Sequence, residues 1–143
     1  MMQAFTEDSR HEIGSALIMN HLVCDELSFE REGFEQRTQE TKFSISYKVE
    51  KDDDGQYRAC LLVSAKRIQE YTATVKITGY FSISEDNPLK DTLLWKNGLA
   101  IIFPFARSQM TLLTTQPETS PVIIPVVNIN KIAEQGRTQS EEQ

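Results

Sequence analysis

Residues 41–83 read TKFSISYKVEKDDDGQYRACLLVSAKRIQEYTATVKITGYFSI, and this stretch decides the fold. Phe43, Ile45, Tyr47 and Val49 alternate with Lys42, Ser44, Ser46 and Lys48. Side chains on a strand point alternately to its two faces, so this run is a strand with one buried and one wet face. Asp54-Gly55 follows, and Gly accepts the positive φ that a tight hairpin turn requires. The next run puts Ala59, Leu61, Val63 and Ala65 on one face, with Cys60 and Leu62 opposite. A third run sets Tyr71, Ala73, Val75, Ile77, Phe81 and Ile83 against Thr72, Thr74, Lys76, Thr78 and Tyr80. Upstream, about Ala16 to Phe29, Leu17, Ile18, Met19, Leu22 and Val23 place apolar groups on both faces, which predicts a strand covered on both. Four strands in a row predict an antiparallel meander.

Downstream the period changes. Residues 98–115 have helical spacing, with Phe103, Ala106, Met110 and Leu113 in one stripe and Ile101, Phe105 and Leu112 in a second. Two stripes require two partners: the sheet and a further element or subunit. Pro104 predicts that the helix starts or bends near it. Pro117, Pro121 and Pro125 then hold an extended segment, and Asn128 or Asn130 caps a short last helix to about Glu134. The fold class is α+β: four antiparallel strands with a long and a short C-terminal helix on one face. Residues 1–14 read as a flexible N-terminus, 15–134 as a single domain and 135–143 as a disordered tail.

Composition narrows the function. The chain has 143 residues, 39% hydrophobic and 25% charged, enough for one core without metals or disulfides. A net charge of -6 argues against nucleic-acid binding, which needs a basic stripe, and disfavours anionic membrane surfaces. The polar, acidic start (MMQAFTEDSRHE) lacks a basic region followed by an apolar one, and no apolar run approaches the ~20 residues that span a bilayer. The expectation is a cytoplasmic protein with no signal peptide and no membrane insertion. Cys24 and Cys60 read as reduced core cysteines.

Candidate chemical sites do not assemble. An EF-hand loop needs acidic ligands at alternate positions and a closing Glu, which Asp52-Asp53-Asp54 does not supply, so that run reads as a solvated turn. His21 lies near Cys24 and Asp25, but zinc needs three or four ligands at recognisable spacing. GxSxG, P-loop, GxGxxG and HExxH motifs are absent from the sequence. The reading is a binding protein and not an enzyme, with no catalytic residue, no metal and no cofactor. What stands out is apolar excess: Phe29 and Phe34 in a polar stretch, the Ile/Val run after Thr119, and the second helix stripe.

Ile101-Ile102-Phe103-Pro104-Phe105-Ala106-Arg107 resembles the hydrophobic-Phe-Pro-Tyr-Ala-Arg helix signature of the SecB chaperone family. Gly79-Tyr80-Phe81-Ser82-Ile83 is similar to that family's Gly-x-Phe-Ser-Ile, and Leu27-Ser28-Phe29-Glu30 to its Ser-Phe-Glu. Pro125-Val126-Val127-Asn128 resembles its Ala-Pro-Val-Asn with one extra residue. The resemblance spans about residues 15–133. It implies a cytosolic homotetramer, a dimer of dimers with the long helices between the dimers. It implies a holdase that keeps unfolded preproteins translocation-competent in apolar grooves and delivers them to the SecA motor from an acidic sheet face. It assigns Phe29, Phe34, Ile123, Ile124, Val126, Ile129 and Ile132 to the client groove, and Glu26 and Glu30 to the SecA face. The second helix stripe, Ile101, Phe105 and Leu112, becomes the oligomer interface. Thr74 stands where the family has an acid and Lys76 follows, and the last helix is short. Against classical SecA delivery these departures set an alternative, a SecB-like chaperone or adaptor dedicated to another client such as an antitoxin. An adaptor for one folded partner and a small-ligand module are the remaining classes.

Overall fold

A computed structural model describes residues 16–34, 40–125 and 128–142; the flexible N-terminus read at 1–14 lies outside the described residues. Strands β1 (Ile18–Arg31), β2 (Lys42–Lys51), β3 (Tyr57–Arg67) and β4 (Tyr71–Ser82) form one antiparallel sheet. A helical turn, Lys90–Thr92, runs through a π-helical turn, Leu93–Asn97, into α1 (Gly98–Leu113), and α2 (Ile129–Glu142) ends the chain. Among the described residues no helix is long and apolar enough to cross a membrane.

Alternation sets the inner face of the sheet. Ala59, Leu61, Val63 and Ala65 of β3 and Ala73, Val75, Ile77 and Phe81 of β4 are buried, while their even-numbered neighbours, Thr78 excepted, are half-buried or exposed on the other face. The β2–β3 turn is closed by Asp52, whose Oδ1 accepts the N–H groups of Asp54 and Gln56, both at 3.0 Å. Gly55 there has φ 85°, the left-handed backbone that the Asp-Gly pair predicts.

Strand order corrects the predicted meander. It is β1-β4-β3-β2, so β2–β4 meander while β1 lies beyond β4 and not beside β2. Ten residues, 32–41, separate β1 from β2, longer than a hairpin loop of about 2–5 residues. The segment that leaves β1 is anchored at its start. Glu32 and Gly33 both donate their N–H to the Glu70 carbonyl in the β3–β4 turn, at 2.8 and 3.1 Å.

α1 lies over β4, between β3 and β1. Leu99, Ile102, Phe103, Ala106 and Met110 are buried beneath it. Pro104 sits inside this helix, neither starting it nor ending it. It faces outward together with Ala100, so water can satisfy the carbonyl that proline leaves without a donor. Beyond α1, Thr114 is fully buried, donates its hydroxyl to the Met110 carbonyl at 2.8 Å and accepts the Val122 N–H at 2.8 Å. Thr111 donates to the Val122 carbonyl at 2.9 Å. These bonds tie the extended Pro-rich segment to the end of the helix.

The tail read as disordered from 135 is helical as far as Glu142. Its sequence lacks an apolar stripe past Ala133, yet Gly136 docks it. A Cβ at Gly136 would stand 2.1 Å from the Tyr47 carbonyl oxygen and 3.1 Å from Trp95 Cζ3. Glycine here permits backbone-to-backbone approach of α2 and β2, which periodicity does not report.

Two predictions follow from this packing. In a helix interior alanine is favoured over glycine by about 1 kcal/mol, but a methyl at Gly136 overpacks a closed contact, which costs about 1–3 kcal/mol. Gly136→Ala therefore lowers the denaturation midpoint and alters the emission of Trp95, the sole tryptophan, whereas Gln139→Ala on the exposed side of α2 changes neither. The second concerns Glu85, which accepts hydrogen bonds from the Tyr57 hydroxyl at 2.8 Å and Lys90 Nζ at 2.9 Å and lies 2.9 Å from Lys51 Nζ. The hydrogen bonds from Lys51, Lys90 and Tyr57 hold its carboxyl down to about 2, from an ordinary 4.5. A depressed carboxyl favours the folded state above its ordinary value, and that contribution is lost as pH falls through about 2. The group is exposed, so its share of stability is small and salt-screened. A carboxyl NMR titration should place the Glu85 midpoint near 2 at low salt; Lys90→Met should move it upward.

Candidate functional site

Apolar side chains that the core does not absorb lie in two places. The first is β1, an edge strand with an unpaired backbone rim. Ile18, Met19, Val23 and Leu27 are exposed along it. The two apolar faces read as covered are covered only in part: Leu22 and Phe29 pack against the core, while Ile18, Met19, Val23 and Leu27 stay exposed. Pairing places Leu27 opposite Val75 and Val23 opposite Thr78, on different faces, so both faces contribute. Register shifts at Met19/His21 and Cys24/Glu26 mark bulges that bend this edge. The available signal was apolar residues at consecutive positions in a strand flanked by a long connection.

The second place is the outer face of α1. Ile101 is 37% exposed, Phe105 48% and Leu112 64%. The second stripe thus points away from the sheet, where no element among the described residues covers it. Ile123, 71% exposed, joins this face. With Pro104, Arg107, Ser108, Thr111 and Leu112 it lines an open trough of about 670 Å³. Leu112 and Ile123, assigned from sequence to different sites, share one surface.

The remaining groove residues do not form one group. Phe29 is half-buried and stacks on Tyr71, ring centroids 5.0 Å apart, with the Arg31 guanidinium 5.3 Å from its own centroid. That guanidinium also donates to the Gly33 and Pro117 carbonyls at 3.0 and 3.1 Å and to the Thr119 hydroxyl. Phe29 therefore braces the loop after α1. Phe34 is exposed at the start of the β1–β2 crossing. Ile124 is a correction: it is fully buried. The extended backbone sends Val122 and Ile124 inward and Ile123 outward, so the period-2 rule divides a run that read as uniformly apolar. Ile129 and Ile132 are half-buried against the core at the start of α2. Val126 lies outside the described residues.

The two cysteines are not core residues. Cys24 is exposed and Cys60 half-buried, and pairing with Ile77 and Thr78 sets them on opposite faces of the sheet. Burial, and then the adjacent Asp25 carboxylate, raises the Cys24 thiol above its ordinary value, which disfavours a nucleophilic thiolate. His21 packs edge-on to Tyr80 at 6.3 Å. Among the described residues no cluster of three His, Cys, Asp or Glu could hold a metal.

The face of the sheet away from the helices is polar and open. Glu26 lies opposite Lys76 and Glu30 opposite Thr72, both glutamates exposed on β1. Asp25, at the bulge, accepts the Thr78 hydroxyl. Glu50 on β2 lies 2.8 Å from Lys48 Nζ and 3.6 Å from Arg58. The hydrogen bond and charge of Lys48 hold the Glu50 carboxyl below its ordinary range. A small polar cavity of about 350 Å³ beneath the loop after α1 includes Arg31, Arg67 and Glu70. Its cations are already engaged, Arg31 as above and Arg67 by Thr41 at 2.8 Å and Glu70 at 3.5 Å.

No protein-family model and no curated protein matches the chain. Solved structures do. A SecB-like chaperone of Mycobacterium tuberculosis, Rv1957, in complex with a ChAD peptide from the Rv1956 HigA1 antitoxin, matches with a TM-score of 0.58 at 14% identity. The match covers 78% of this chain and 91% of that one. A protein of unknown function from Streptococcus agalactiae aligns over 77% of this chain and 97% of its own, with a TM-score of 0.46 and 11% identity. The first of these extends over nearly the whole of the chaperone, and the sheet with its long and C-terminal helices accordingly has the SecB-like fold.

Proposed function

We propose that the protein is a holdase chaperone that binds unfolded polypeptide segments by apolar contact. The observation that carries this reading is the exposed apolar surface of β1 and of the trough between α1 and Ile123. A single folded domain gains nothing from leaving Leu112 and Ile123 wet, because burial is worth ~25 cal/mol per Å². The same non-directional attraction binds many unrelated segments weakly, as a holdase requires. The free edge of β1 adds backbone donors and acceptors that an extended client can pair with. The SecB-like fold supports the reading, which places the protein in the cytoplasm and makes it a binding protein and not an enzyme.

The chain is proposed to act as a homo-oligomer, with a tetramer as the family-implied state and Ile101 and Phe105 in contact between subunits. Delivery of preproteins to SecA is the weaker branch. Glu26 and Glu30 offer acidic groups on β1, but Lys76 lies directly opposite Glu26, which opposes a basic SecA tail at short range. A dedicated client is the second reading. Its support is the antitoxin peptide bound to the Mycobacterium tuberculosis chaperone of the same fold.

The purified protein should slow the aggregation of at least two unrelated unfolded proteins. Ile123→Ser and Phe34→Ser should each weaken that activity several-fold with little change in melting temperature, because both side chains are already exposed. Ile124→Ser should instead destabilise the fold by about 2–5 kcal/mol, the usual cost of truncating a buried Ile. Protection of a single client alone would favour the dedicated reading. For assembly, light scattering should report an oligomer at micromolar concentration. Phe105→Asp should dissociate it, because burying an unpaired carboxylate at an apolar contact is costly. A wild-type monomer at that concentration would overturn the assembly proposal.

A further inference from the structure

The part of the open face over β2–β4 lies apart from the client surfaces proposed above, and its charges are not distributed as the chain's are. Cross-strand pairing assigns its side chains: Lys42 opposite Lys66, Lys48 opposite Cys60 and Glu50 opposite Arg58 between β2 and β3. Leu62 lies opposite Lys76 between β3 and β4. Strands β2–β4 thus present five cations, Lys42, Lys48, Arg58, Lys66 and Lys76, against one carboxylate, Glu50. This holds in a chain of net charge -6. Lys48 and Arg58 share Glu50, and among the described residues Lys42, Lys66 and Lys76 form no ion pair. Lys42 and Lys66 are directly opposed like charges, which destabilise a strand pair until an anion intervenes.

Adjacent strands lie ~4.8 Å apart, so the directly opposed Lys42 and Lys66 fall within the ~8 Å Debye length of physiological salt, while Lys76 lies farther along the same face, opposite Leu62. Lys48, Arg58 and Lys76 line a depression of about 390 Å³ together with the carboxylates of Asp25, at its β1 side, and Glu50. Leu62, 38% exposed, is an apolar centre next to this rim. An apolar side chain beside charged groups can serve as part of a recognition surface, and the sign of those charges selects the partner. Asp25, Glu26 and Glu30 on β1 fence the patch on one side. That fence limits the site to about three strands' width and repels a long polyanion such as nucleic acid.

We propose that the open face over β2–β4 docks a short acidic peptide segment of a partner protein, with an apolar side chain of that segment over Leu62. The site is separate from the apolar trough, so a chaperone of this kind can hold a client on one side and an acidic partner on the other.

The test uses the full chain and a fluorescein-labelled octapeptide of six glutamates and two central leucines, followed by anisotropy at low and physiological salt. Binding is expected at micromolar concentration and should weaken as salt rises. Lys76→Glu should weaken it by about fivefold or more, since it reverses a charge in the rim. Lys131→Glu makes the same charge change on exposed α2 and should leave binding unaltered, and circular dichroism should show both variants folded. Lys48→Gln gives a milder second reading should Lys76→Glu unfold. Four results would overturn the proposal: no binding, tighter binding of octalysine, an equal loss in Lys131→Glu, or displacement of the peptide by an oligothymidine of equal charge at lower concentration. Loss of peptide binding in Ile123→Ser, with Lys76→Glu unaffected, would also overturn it by placing the peptide in the client trough.

Discussion

Tyr47 is the side chain on which the helices depend. It is buried on the inner face of β2, and its hydroxyl donates to the Leu94 carbonyl at 2.7 Å. Its ring meets Trp95 edge-on at 5.8 Å, and its own carbonyl is the surface against which Gly136 packs. One residue therefore fixes the π-helical turn that leads into α1 and the seat of α2. Burial pushes the phenol well above its ordinary value, so it remains a donor at any physiological pH. Losing that donor would forfeit a buried hydrogen bond, which is worth about 0.5–1.5 kcal/mol. The π-helical turn is the local adjustment that sets Leu94 over the tyrosine, in keeping with the way such irregular turns concentrate at functional parts of helices.

Once the helix entry is fixed, the two faces of α1 have different fates. Ile102, Ala106 and Met110 are committed to the sheet and Thr114 to the returning segment. The opposite stripe has no partner among the described residues, and Pro104 lies within it. A proline on a face that must meet something else than its own core is tolerated because its unpaired carbonyl stays accessible. The same logic applies to β1. A long edge strand with apolar residues on both faces is an aggregation liability unless it is covered. Bulges and the acidic Asp25 and Glu26 temper it. An oligomer and a client are alternative ways of covering the same kind of surface, which is why the proposed assembly and the proposed activity draw on adjacent residues.

The inner face of the sheet was legible in residues 41–83 because period-2 alternation and Asp54-Gly55 are local signals. The outer stripe of α1 was legible for the same reason at period 3.6. What was not legible depended on contacts distant in sequence. Placing β1 beside β4 requires knowing where a ten-residue connection crosses. Ile124 and Ile123 look equivalent in a run of Ile and Val until Thr111 and Thr114 fix the register of Val122. Thr114 itself gives no sequence signal beyond its position at the end of the helix. The helicity of residues 135–142 rests on Gly136, a residue that argues for a break when read locally and for close approach when read in the fold.

The sheet also separates charge by strand. Carboxylates gather on β1 and cations on β2–β4, so that two strands held 4.7–4.9 Å apart by their ladder carry opposite signs at their open face. Glu26 and Lys76 are direct cross-strand neighbours of opposite charge, yet their charged ends form no ion pair with each other. On β2 and β3 the cations of the open face have a single shared carboxylate, Glu50. The open face therefore carries its carboxylates along β1, and its part over β2–β4 keeps an excess of positive charge that the sequence total conceals.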